Sequence, residues 1–447
     1  DPWSIWNSVR TLCEGNRRLG VLLRLPETVP AKNIVDKWMA EPLRAIVVPT
    51  SAFSADEKGM LNLKKPHADV LLRLTTQDTR IVISGNSAYQ GYHIPYLEAL
   101  RAVWDSLPPY DAKDQLEIPY RDVIQAPLQP LMDNLQSQTY EVFERDPVKY
   151  SSYQNAIYKA LTTKYKVQDE VCIVVVGAGR GPLVRCALRA GKEAKKQLKI
   201  YAVEKNPNAM ITLMNHQQNE WKSQVTVVHK DMRDWKAPEN VDIMVSELLG
   251  SFGDNELSPE CLDGAQWIIA ESKGISIPSS STSYLQPIST PKLWGELSAQ
   301  GITKALETPY VVLLHRYFAI AEPKKCFYFV HPNLEKPIDN TRRIKLCFDV
   351  ANEDAMLHGF AGYFESVLFH DISISILPKT FSEGMFSWFP MFFPLRTPVF
   401  VKKGDKIELE MWRCEDRKKV WYEWALLSPT MSPIHNVNGR SSNIGLK

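Results

Sequence analysis

Over the first hundred residues, short apolar runs alternate with stretches of helical periodicity. The runs at residues 19–25, 43–49 and 80–84 are rich in Leu, Ile and Val, and helical patterns occupy residues 33–40 and 92–107. Continuous apolar strands separated by helices are typical of a parallel sheet covered on both faces. No glycine-rich phosphate loop follows these strands, so a structural or partner-binding layer is favoured over a second active site.

A second series of strands and helices follows a proline-rich linker at residues 119–130. It begins with a helical pattern over residues 138–161 and continues as apolar runs separated by amphipathic stretches. The predicted strands cover residues 171–176, 200–203, 225–228 and 241–245. We expect a second parallel sheet here, with helices on its faces.

Beyond about residue 274 the pattern changes to strands separated by turns. The predicted strands cover residues 310–318, 326–330, 343–350, 359–376, 399–402, 406–412 and 420–427. Lys403-Gly404-Asp405 and the charged residues 415–418 are typical hairpin turns. The C-terminal third is therefore predicted to be an all-β barrel or sandwich.

Composition limits the number of domains and the classes of partner that the chain can have. The 447 residues would make about three domains of average size, and a hydrophobic content of 44% suffices for each to bury a core. The formal net charge of +2 provides no global attraction for nucleic acid or membranes.

Seven cysteines without a CxxC pair indicate reduced thiols in a cytosolic or nuclear compartment. No apolar run approaches the length of a membrane span, and because the chain begins with Asp1 and not Met, we expect an upstream segment to be missing.

A glycine-rich turn follows the strand at residues 171–176. Residues 177–181 read Gly-Ala-Gly-Arg-Gly, and glycine lets backbone approach a ligand closely because it has no Cβ. A dinucleotide-binding fingerprint would have its third glycine where Pro182 stands, whereas Gly181 produces a tighter GxGxG spacing. This spacing favours S-adenosylmethionine over NAD as the cofactor.

Acidic residues follow the next two strands. Glu204 ends the first of them, where a carboxylate can accept both hydroxyls of a ribose. Asp231 and Met232 follow the second, placing an acceptor and an apolar side chain where an adenine ring would lie. Each acidic residue alone is equally well a helix cap, but together with the glycine turn they predict a site for S-adenosylmethionine.

Two glutamates bracket the loop that follows the fourth strand. Glu247 leaves the strand, and Glu256 returns nine residues later with Gly250 and Gly253 between them. The glycines predict a hairpin that brings both carboxylates to the edge where parallel sheets bind ligands. Alternatively, Glu256 merely precedes a helix whose N-cap is Ser258.

Converging carboxylates suit a guanidinium better than a metal ion or a hydrolytic reaction. No histidine cluster accompanies the two glutamates, and a planar guanidinium offers five donors that two carboxylates can hold in bidentate fashion. Since the pKa of a guanidinium exceeds about 12, its nitrogen is a poor nucleophile. The carboxylates would have to draw positive charge away from the attacking nitrogen.

The double-glutamate loop, the glycine turn and Glu204 together resemble the protein arginine methyltransferases. Other segments are similar to the type II branch, which forms symmetric dimethylarginine, and the resemblance covers essentially the whole chain. These segments are residues 127–135, Tyr140-Glu-Val-Phe143, Asp146-Pro-Val-Lys149-Tyr150, residues 254–261 and residues 385–390.

The resemblance implies an α/β fold in four successive parts. They are the C-terminal part of a TIM barrel at residues 1–107, a linker at 108–137, a Rossmann-like S-adenosylmethionine methyltransferase domain at 138–276 and an all-β barrel or sandwich with dimerisation elements at 277–447.

The resemblance also implies roles for individual residues. Glu247 and Glu256 would hold the substrate arginine. Phe143 stands where enzymes that form asymmetric dimethylarginine carry methionine, and Trp388 would cap the guanidinium. Without the resemblance, Phe143 and Trp388 would more often be core residues. The expected cofactor contacts are Tyr140, Lys149, Tyr150, Gly177, Gly179, Arg180, Glu204, Asp231 and Met232.

The sequence thus predicts an enzyme that transfers methyl groups from S-adenosylmethionine to peptidyl arginine, forming monomethylarginine and symmetric dimethylarginine. The resemblance further implies a homo-oligomer, a WD-repeat partner on the TIM barrel, and glycine- and arginine-rich substrates such as the tails of Sm proteins and histones. Location in cytoplasm and nucleus is expected, with no metal ion and no direct nucleic-acid or membrane partner.

Two alternatives belong to other functional classes. A scaffold with a decayed methyltransferase fold would bind partners without catalysis, but the intact Glu204, Glu247 and Glu256 argue against it. An NAD-dependent oxidoreductase is disfavoured by Pro182 and by the lack of an acid/base residue suited to hydride transfer.

Overall fold

The computed structural model describes residues 1–16, 18–75, 79–87, 93–166, 168–270, 273–351 and 353–447. Within these ranges, no helix is both long enough and apolar enough to cross a membrane.

The N-terminal part is a parallel sheet flanked by helices, as the alternating pattern predicts. Its strands are β1 (Val21–Arg24), β2 (Leu43–Pro49), β3 (Phe53–Ala55), β4 (Leu61–Leu63) and β5 (Arg80–Ser84), and its helices are α1 (Pro2–Leu12), α2 (Lys32–Met39), α3 (Lys65–Leu74) and α4 (Ile94–Asp105). β2 pairs with β1 and β5 in parallel, and β3 and β4 form an antiparallel pair. α4 was predicted to begin at residue 92, which lies outside the described residues.

The middle of the chain contains a second parallel sheet. Its helices are α5 (Ala112–Glu117), α6 (Ser137–Glu144), α7 (Pro147–Lys164), α8 (Pro182–Glu193), α9 (Pro207–His216), α10 (Ser258–Ala265) and α11 (Trp267–Ala270), and its strands are β6 (Glu170–Val176), β7 (Gln197–Glu204), β8 (Val225–His229), β9 (Ile243–Ser246) and β10 (Ile275–Ile277). The strand order is β10-β9-β6-β7-β8. The parallel pairing brings the carboxyl ends of β6 to β9 to one edge, where the glycine turn and the acidic residues lie.

The prediction of one helix over residues 138–161 is wrong, because the structure has two helices with a break at Asp146. Oδ1 of Asp146 accepts hydrogen bonds from the backbone N–H groups of Val148 (3.0 Å) and Lys149 (3.1 Å), and Pro147 is the first residue of α7. An N-cap aspartate followed by proline is a strong signal for a helix start. The break leaves α6 as a separate short helix with no buried residue.

The C-terminal part is mostly antiparallel sheet, as predicted. Its strands are β11 (Ser280–Ser289), β12 (Tyr310–Val311), β13 (Phe318–Ala319), β14 (Lys324–Val330), β15 (Arg342–Asp349), β16 (Ala355–Phe369), β17 (Ile372–Ser375), β18 (Met391–Val401), β19 (Lys406–Glu415), β20 (Lys419–Ser428) and β21 (Ile444–Gly445). An α-helix, α12 (Pro291–Ser298), and two short 3-10 helices (Thr303–Glu307 and Val437–Gly439) lie between them. A seven-stranded sheet contains β12-β18-β16-β11-β13, with β14 and β17 on its sides. A four-stranded sheet has the order β15-β19-β20-β21.

The strand pattern failed at four places in this β domain. The strand predicted at residues 399–402 is only the end of β18, which begins at Met391. Residues 310–318 form strands only at their two ends, and residues 359–376 form a hairpin between β16 and β17 instead of one strand. β11 was not predicted, because its sequence is rich in Ser, Thr and Gln, which are mostly exposed residue types. In the fold it is buried between β14 and β16, where hydroxyl groups bond to backbone, as Ser283 Oγ does to the carbonyl of Phe327.

An aromatic cluster joins the parallel sheet to the β domain. Phe252, in the loop after β9, is fully buried, and its ring centroid lies 5.1 Å from that of Phe393, 5.7 Å from that of Tyr422 and 6.1 Å from that of Phe327. Such edge-to-face contacts add specific geometry to the burial of apolar area. The loop after β9 is therefore part of the core that the two units share.

Candidate active site

A cavity of about 550 Å³ lies at the carboxyl edge of the second parallel sheet. α6 and α7 border it on one side, and residues 386–389 of the β domain border it on the other. The site residues predicted from the sequence, Arg180 excepted, line this cavity: Tyr140, Phe143, Lys149, Tyr150, Gly177, Gly179, Glu204, Asp231, Met232, Glu247, Glu256 and Trp388.

The glycine turn after β6 requires glycine for two reasons. Gly177 and Gly179 have φ of +67° and +55°, a left-handed conformation that side chains with a Cβ disfavour. A Cβ on Gly177 would lie 2.9 Å from Cδ2 of Leu248, and one on Gly179 would lie 3.1 Å from Cε1 of Tyr140. The turn therefore brings the backbone of both glycines to the cavity wall.

Glu204 lies beside this turn with its carboxylate held by backbone. Its Oε2 accepts a hydrogen bond from the N–H of Gly179 (2.7 Å), and its Oε1 accepts one from the N–H of Asn206 (2.7 Å). Burial raises the pKa of Glu204 above its ordinary value, although these hydrogen bonds oppose the shift. Each oxygen retains a lone pair, so the carboxylate can accept the two hydroxyls of a ribose.

The remaining walls of this half of the cavity suit an adenosine group. Tyr140 packs over Gly179, and its hydroxyl accepts a hydrogen bond from Nδ2 of Asn206 (2.9 Å), while burial raises its pKa to about 12. Met232 supplies an apolar wall opposite Gly177. The residues present therefore fit S-adenosylmethionine, and the contact of Glu204 with its ribose stays a prediction.

Asp231 is engaged by a neighbouring arginine. Its two carboxylate oxygens accept hydrogen bonds from Nε (3.0 Å) and NH2 (2.8 Å) of Arg233. Burial alone would raise the pKa of Asp231, but the bonds from Arg233 hold it below the ordinary value. Arg233 thus orients a charged Asp231 at the cavity wall, and its predicted contact with the adenine stays a prediction.

Arg180 does not line the cavity. Its guanidinium lies 3.3 Å from the carboxylate of Glu144 on α6 and donates a hydrogen bond to the carbonyl of Ser137 (3.1 Å). Arg185 on α8 also approaches Glu144, at 3.4 Å. In this arrangement Arg180 holds α6, and with it Tyr140, over the glycine turn. Its direct contact with the cofactor remains untested.

The two glutamates enter the cavity from a hairpin, as the glycines between them predict. Gly250 and Gly253 exchange backbone hydrogen bonds of 3.2 Å and 2.8 Å. A Cβ on Gly250 would lie 2.4 Å from Oδ1 of Asn255, which itself accepts the N–H of Phe252 at 2.6 Å. The turn is therefore so compact that glycine is required at its start.

Lys149 forms an ion pair with Glu247. Its ammonium lies 3.2 Å from Oε2 of Glu247 and is almost completely buried. The same ammonium lies 4.8 Å from the ring centroid of Tyr150, 4.9 Å from that of Trp388 and 5.5 Å from that of Phe143. Aromatic faces and a carboxylate together stabilise a desolvated cation. We call this arrangement of Phe143, Tyr150, Trp388 and Glu247 the cation cage.

Glu256 has a different electrostatic environment from Glu247. Burial raises its pKa well above the ordinary value, the neighbouring carboxylate of Glu247 adds to the shift, and the ammonium of Lys149 opposes it. Two carboxyl groups in one cavity are therefore inequivalent, since one is paired with a cation and the other resists ionisation.

Asp146 is a residue of the site whose tertiary role sequence reasoning missed. While its Oδ1 caps α7, its Oδ2 accepts hydrogen bonds from the backbone N–H groups of Phe386 (2.8 Å) and Ser387 (2.9 Å) and from Oγ of Ser387 (2.8 Å). One buried carboxylate thus attaches the start of α7 to the loop that carries Trp388. The Asp-Pro pair signals the cap in the sequence, but nothing there signals the second set of contacts.

Trp388 is attached to the double-glutamate loop. Its Nε1 donates a hydrogen bond to the carbonyl of Leu249 (2.8 Å), and its ring meets that of Phe364 edge to face at 5.1 Å. The described part of the chain contains no group of three or more His, Cys, Asp or Glu side chains that could hold a metal ion. The groups that line the described site are carboxylates, aromatic rings, backbone groups, the thioether of Met232 and the ammonium of Lys149.

Comparison with protein-family models divides the chain among three of them. The model described as PRMT5 arginine-N-methyltransferase matches residues 111–277. The models described as PRMT5 TIM barrel domain and PRMT5 oligomerisation domain match residues 1–106 and 280–444.

Curated relatives match nearly the whole chain. Protein arginine N-methyltransferase 5 of Xenopus laevis is 48% identical, over 99% of this chain and 71% of its own length. The protein of the same name from Oryza sativa subsp. indica is 46% identical, over 100% and 73%. Protein arginine N-methyltransferase skb1 of Schizosaccharomyces pombe is 40% identical, over 99% and 75%.

Solved structures share the fold at low sequence identity. One is the Trypanosoma brucei PRMT1 enzyme-prozyme heterotetrameric complex with AdoHcy, with a TM-score of 0.54, 14% identity and coverage of 68% of this chain and 96% of that one. Another is Arabidopsis thaliana protein arginine methyltransferase 10, with a TM-score of 0.52, 17% identity and coverage of 68% and 95%.

Replacing Glu256 by Gln tests how unfavourable the burial of this carboxyl group is. Because its pKa is higher in the folded chain than in the unfolded one, wild-type stability falls as the pH rises from about 4.5 to the raised value. The stability of Glu256→Gln does not fall in this way, because an amide does not ionise. We expect calorimetry to show a melting temperature above that of the wild type near neutral and alkaline pH, with a difference that vanishes as the pH approaches about 4.5.

Glu322→Gln is the matched control, since this glutamate is 72% exposed on the β domain. Its melting temperature should follow the wild type at every pH. A Glu256→Gln difference that is independent of pH, or that grows on acidification, would contradict the assignment of an unfavourably buried carboxyl group.

Proposed function

The chain belongs to the PRMT5 family of protein arginine N-methyltransferases, and on that premise we propose that it forms monomethylarginine and then symmetric dimethylarginine on protein tails. It is a protein arginine N-methyltransferase that uses S-adenosylmethionine. The observation that carries the proposal is the pair of glutamates beside aromatic rings, at the far end of a cavity whose other end fits adenosine.

The cation cage is the proposed site of the substrate guanidinium. It already surrounds a cation, the ammonium of Lys149, with Glu247 at 3.2 Å and three aromatic rings at 4.8 to 5.5 Å. A guanidinium is also a cation, and its flat, weakly hydrated surface suits aromatic faces better than an ammonium does. Substrate arginine would therefore compete with Lys149 for Glu247.

Glu247 and Glu256 would have different roles in activating the substrate arginine. Glu247 accepts N–H groups of the guanidinium and orients it in bidentate fashion. Because its pKa is raised, Glu256 takes back a proton more readily than an ordinary glutamate, whereas a bound guanidinium would favour its ionised form. Its carboxylate would thus draw positive charge from the attacking nitrogen and hold the proton that this nitrogen loses.

When bound, S-adenosylmethionine supplies a methyl group attached to a sulfonium centre. The chain's own residues supply alignment: the glycine turn and Glu204 hold the adenosine end, and the cation cage holds the guanidinium. α6 connects both ends, because Tyr140 covers the turn and Phe143 faces the cage. Fixing both reactants in one orientation is a large part of such catalysis.

Symmetric dimethylation requires that the second methyl group go to the other terminal nitrogen. Phe143 and Trp388 support this proposal because their rings lie on the walls of the cation cage and limit how a monomethylated guanidinium can turn. Trp388 is held by Leu249, and its loop is held by Asp146, so this wall is rigid.

Assembly and partners form a separate part of the proposal. Residues 280–444 match the oligomerisation domain of the family, which supports a homo-oligomer. We further propose a WD-repeat partner on the residues that match the TIM barrel domain, and glycine- and arginine-rich tails such as those of Sm proteins and histones as substrates. Roles in snRNP assembly and chromatin regulation, in cytoplasm and nucleus, would follow from such substrates.

The direct test of activity uses an arginine- and glycine-rich peptide with labelled S-adenosylmethionine. We expect monomethylarginine and then symmetric dimethylarginine, identified by mass spectrometry. Glu247→Gln should lose turnover by about 100-fold or more, because a neutral amide cannot draw charge from the guanidinium. Glu322→Gln should keep it. Asymmetric dimethylarginine as the sole dimethylated product would exclude type II specificity.

Phe143→Met tests the control of product symmetry. A flexible thioether leaves more room in the cation cage than a ring, so we expect the variant to form asymmetric dimethylarginine alongside the symmetric product. The ratio of the two isomers in peptide hydrolysates is the measurement. Phe381→Met, at a residue 40% exposed on the β domain, is the control and should leave the ratio unchanged. An unaltered ratio in Phe143→Met would remove Phe143 from this role.

Lys149→Met tests competition between Lys149 and the substrate. Without its ammonium on Glu247, the cation cage is free for a guanidinium. We expect the cofactor-free variant to bind the arginine peptide several-fold more tightly than the wild type in fluorescence anisotropy. Lys159→Met on the same helix removes an ammonium paired with Asp371, away from the cation cage. Its affinity for the arginine peptide should equal that of the wild type. Equal or weaker binding by Lys149→Met would contradict the competition.

A further inference from the structure

One buried arginine of the β domain contacts both ends of the segment that carries Glu256. Arg413 lies on β19, and its side chain is completely buried. Its Nε donates to Oδ2 of Asp254 at 2.6 Å, while NH1 and NH2 donate to the two carboxylate oxygens of Glu260 at 2.7 Å and 2.9 Å. Asp254 precedes Glu256 by two residues, and Glu260 follows it by four. We call this arrangement the Arg413 clamp.

Further groups complete the Arg413 clamp. Oδ2 of Asp254 also accepts the hydroxyl of Tyr422 (2.7 Å), and NH1 of Arg413 also donates to the carbonyl of Asn340 (3.1 Å). The guanidinium therefore has carboxylate or carbonyl partners on all three nitrogens. A planar fork held on three sides has one orientation, which a flexible ammonium could not reproduce.

The position of Glu256 depends on its backbone. Within the described residues, its carboxyl group accepts and donates no hydrogen bond, unlike Glu247, which is held by Lys149 and by the N–H of Leu249. A side chain without polar partners is aimed by its Cα and by packing. Whatever fixes residues 254–260 therefore fixes the direction of this carboxyl group.

The backbone next to Glu256 is strained. Leu257 has φ of +66°, in the left-handed region that residues with a Cβ disfavour. Such a conformation persists only where the surroundings impose it. Leu257 is completely buried, and the Arg413 clamp holds residues on both sides of it.

We propose that Arg413 is a positioning residue of the arginine site: by holding Asp254 and Glu260 it imposes the backbone at Glu256 and Leu257, and so aims the carboxyl group of Glu256 at the guanidinium. The inference rests on the proposed function, because it assigns Glu256 to the substrate. A residue of the β domain thereby completes a site that otherwise belongs mostly to the parallel-sheet domain.

A stability role alone is a weaker explanation of the Arg413 clamp. Burying charged groups is unfavourable, and well-packed apolar side chains of similar volume are often as stable as a buried ion pair. What the ionic arrangement adds is direction, since the three nitrogens of the guanidinium donate to four acceptor atoms in fixed positions. Direction matters where a carboxyl group must meet a substrate.

The test compares Arg413→Lys, which keeps the charge but loses the fork, with Arg343→Lys in the full chain. Arg343 lies on the neighbouring strand β15, in a surface pair with Glu410 of β19, and is 71% exposed. We expect Arg413→Lys to lower kcat on the arginine peptide by 10-fold or more while its affinity for S-adenosylmethionine in calorimetry stays within twofold of the wild type. Arg343→Lys should match the wild type in both.

Tyr422→Phe keeps the inference testable if Arg413→Lys fails to fold. It removes one hydrogen bond from Asp254 and keeps the ring, and a several-fold loss in kcat with unchanged cofactor affinity and unchanged KM is expected. Wild-type kcat in a folded Arg413→Lys or Tyr422→Phe, or parallel losses of kcat, cofactor affinity and melting temperature, would overturn the inference. A wild-type protein that forms no methylarginine would instead refute the proposed function.

Discussion

Two carboxyl groups that face one cavity repel each other and lose contact with water, and the site is organised around that constraint. The two glutamates differ in how their charge is compensated. Glu247 receives the buried ammonium of Lys149 at 3.2 Å, whereas burial and Glu247 together raise the pKa of Glu256. Aromatic rings rather than further cations surround Lys149, so the space is suited to one cation at a time.

Polar bridges between the parallel sheet and the β domain make this arrangement rigid. Asp146 attaches α7 to the backbone at Ser387, the indole of Trp388 bonds to the carbonyl of Leu249, and Arg413 holds both flanks of Glu256. Phe252 adds an aromatic cluster between the same two parts. The cavity is thus shared between domains, and its geometry depends on how they pack.

The fold was predictable where local pattern and final environment agree. Buried parallel strands such as β6 are continuous apolar runs in the sequence, and they form where expected. β11 was missed because its serines look exposed, yet they are buried in a central strand where backbone satisfies their hydroxyls. The break at Asp146 was missed because helical periodicity continues across it, although the Asp-Pro pair is a local signal for a new helix.

The residues of the site likewise divide into those that the sequence could predict and those that only the folded structure brings together. Residues whose position at the cavity follows from their place at strand ends, such as Gly177 and Glu204, could be found in the sequence, because parallel strands bring their carboxyl ends to one edge. Lys149 on Glu247 and Arg413 on Asp254 could not, since these partners lie 98 and 159 residues apart and only packing brings them together. The sequence by itself therefore determined which of the predicted groups lie at the cavity, while the tertiary structure decided their ion pairs and direction, because pairing and burial are properties of the folded neighbourhood.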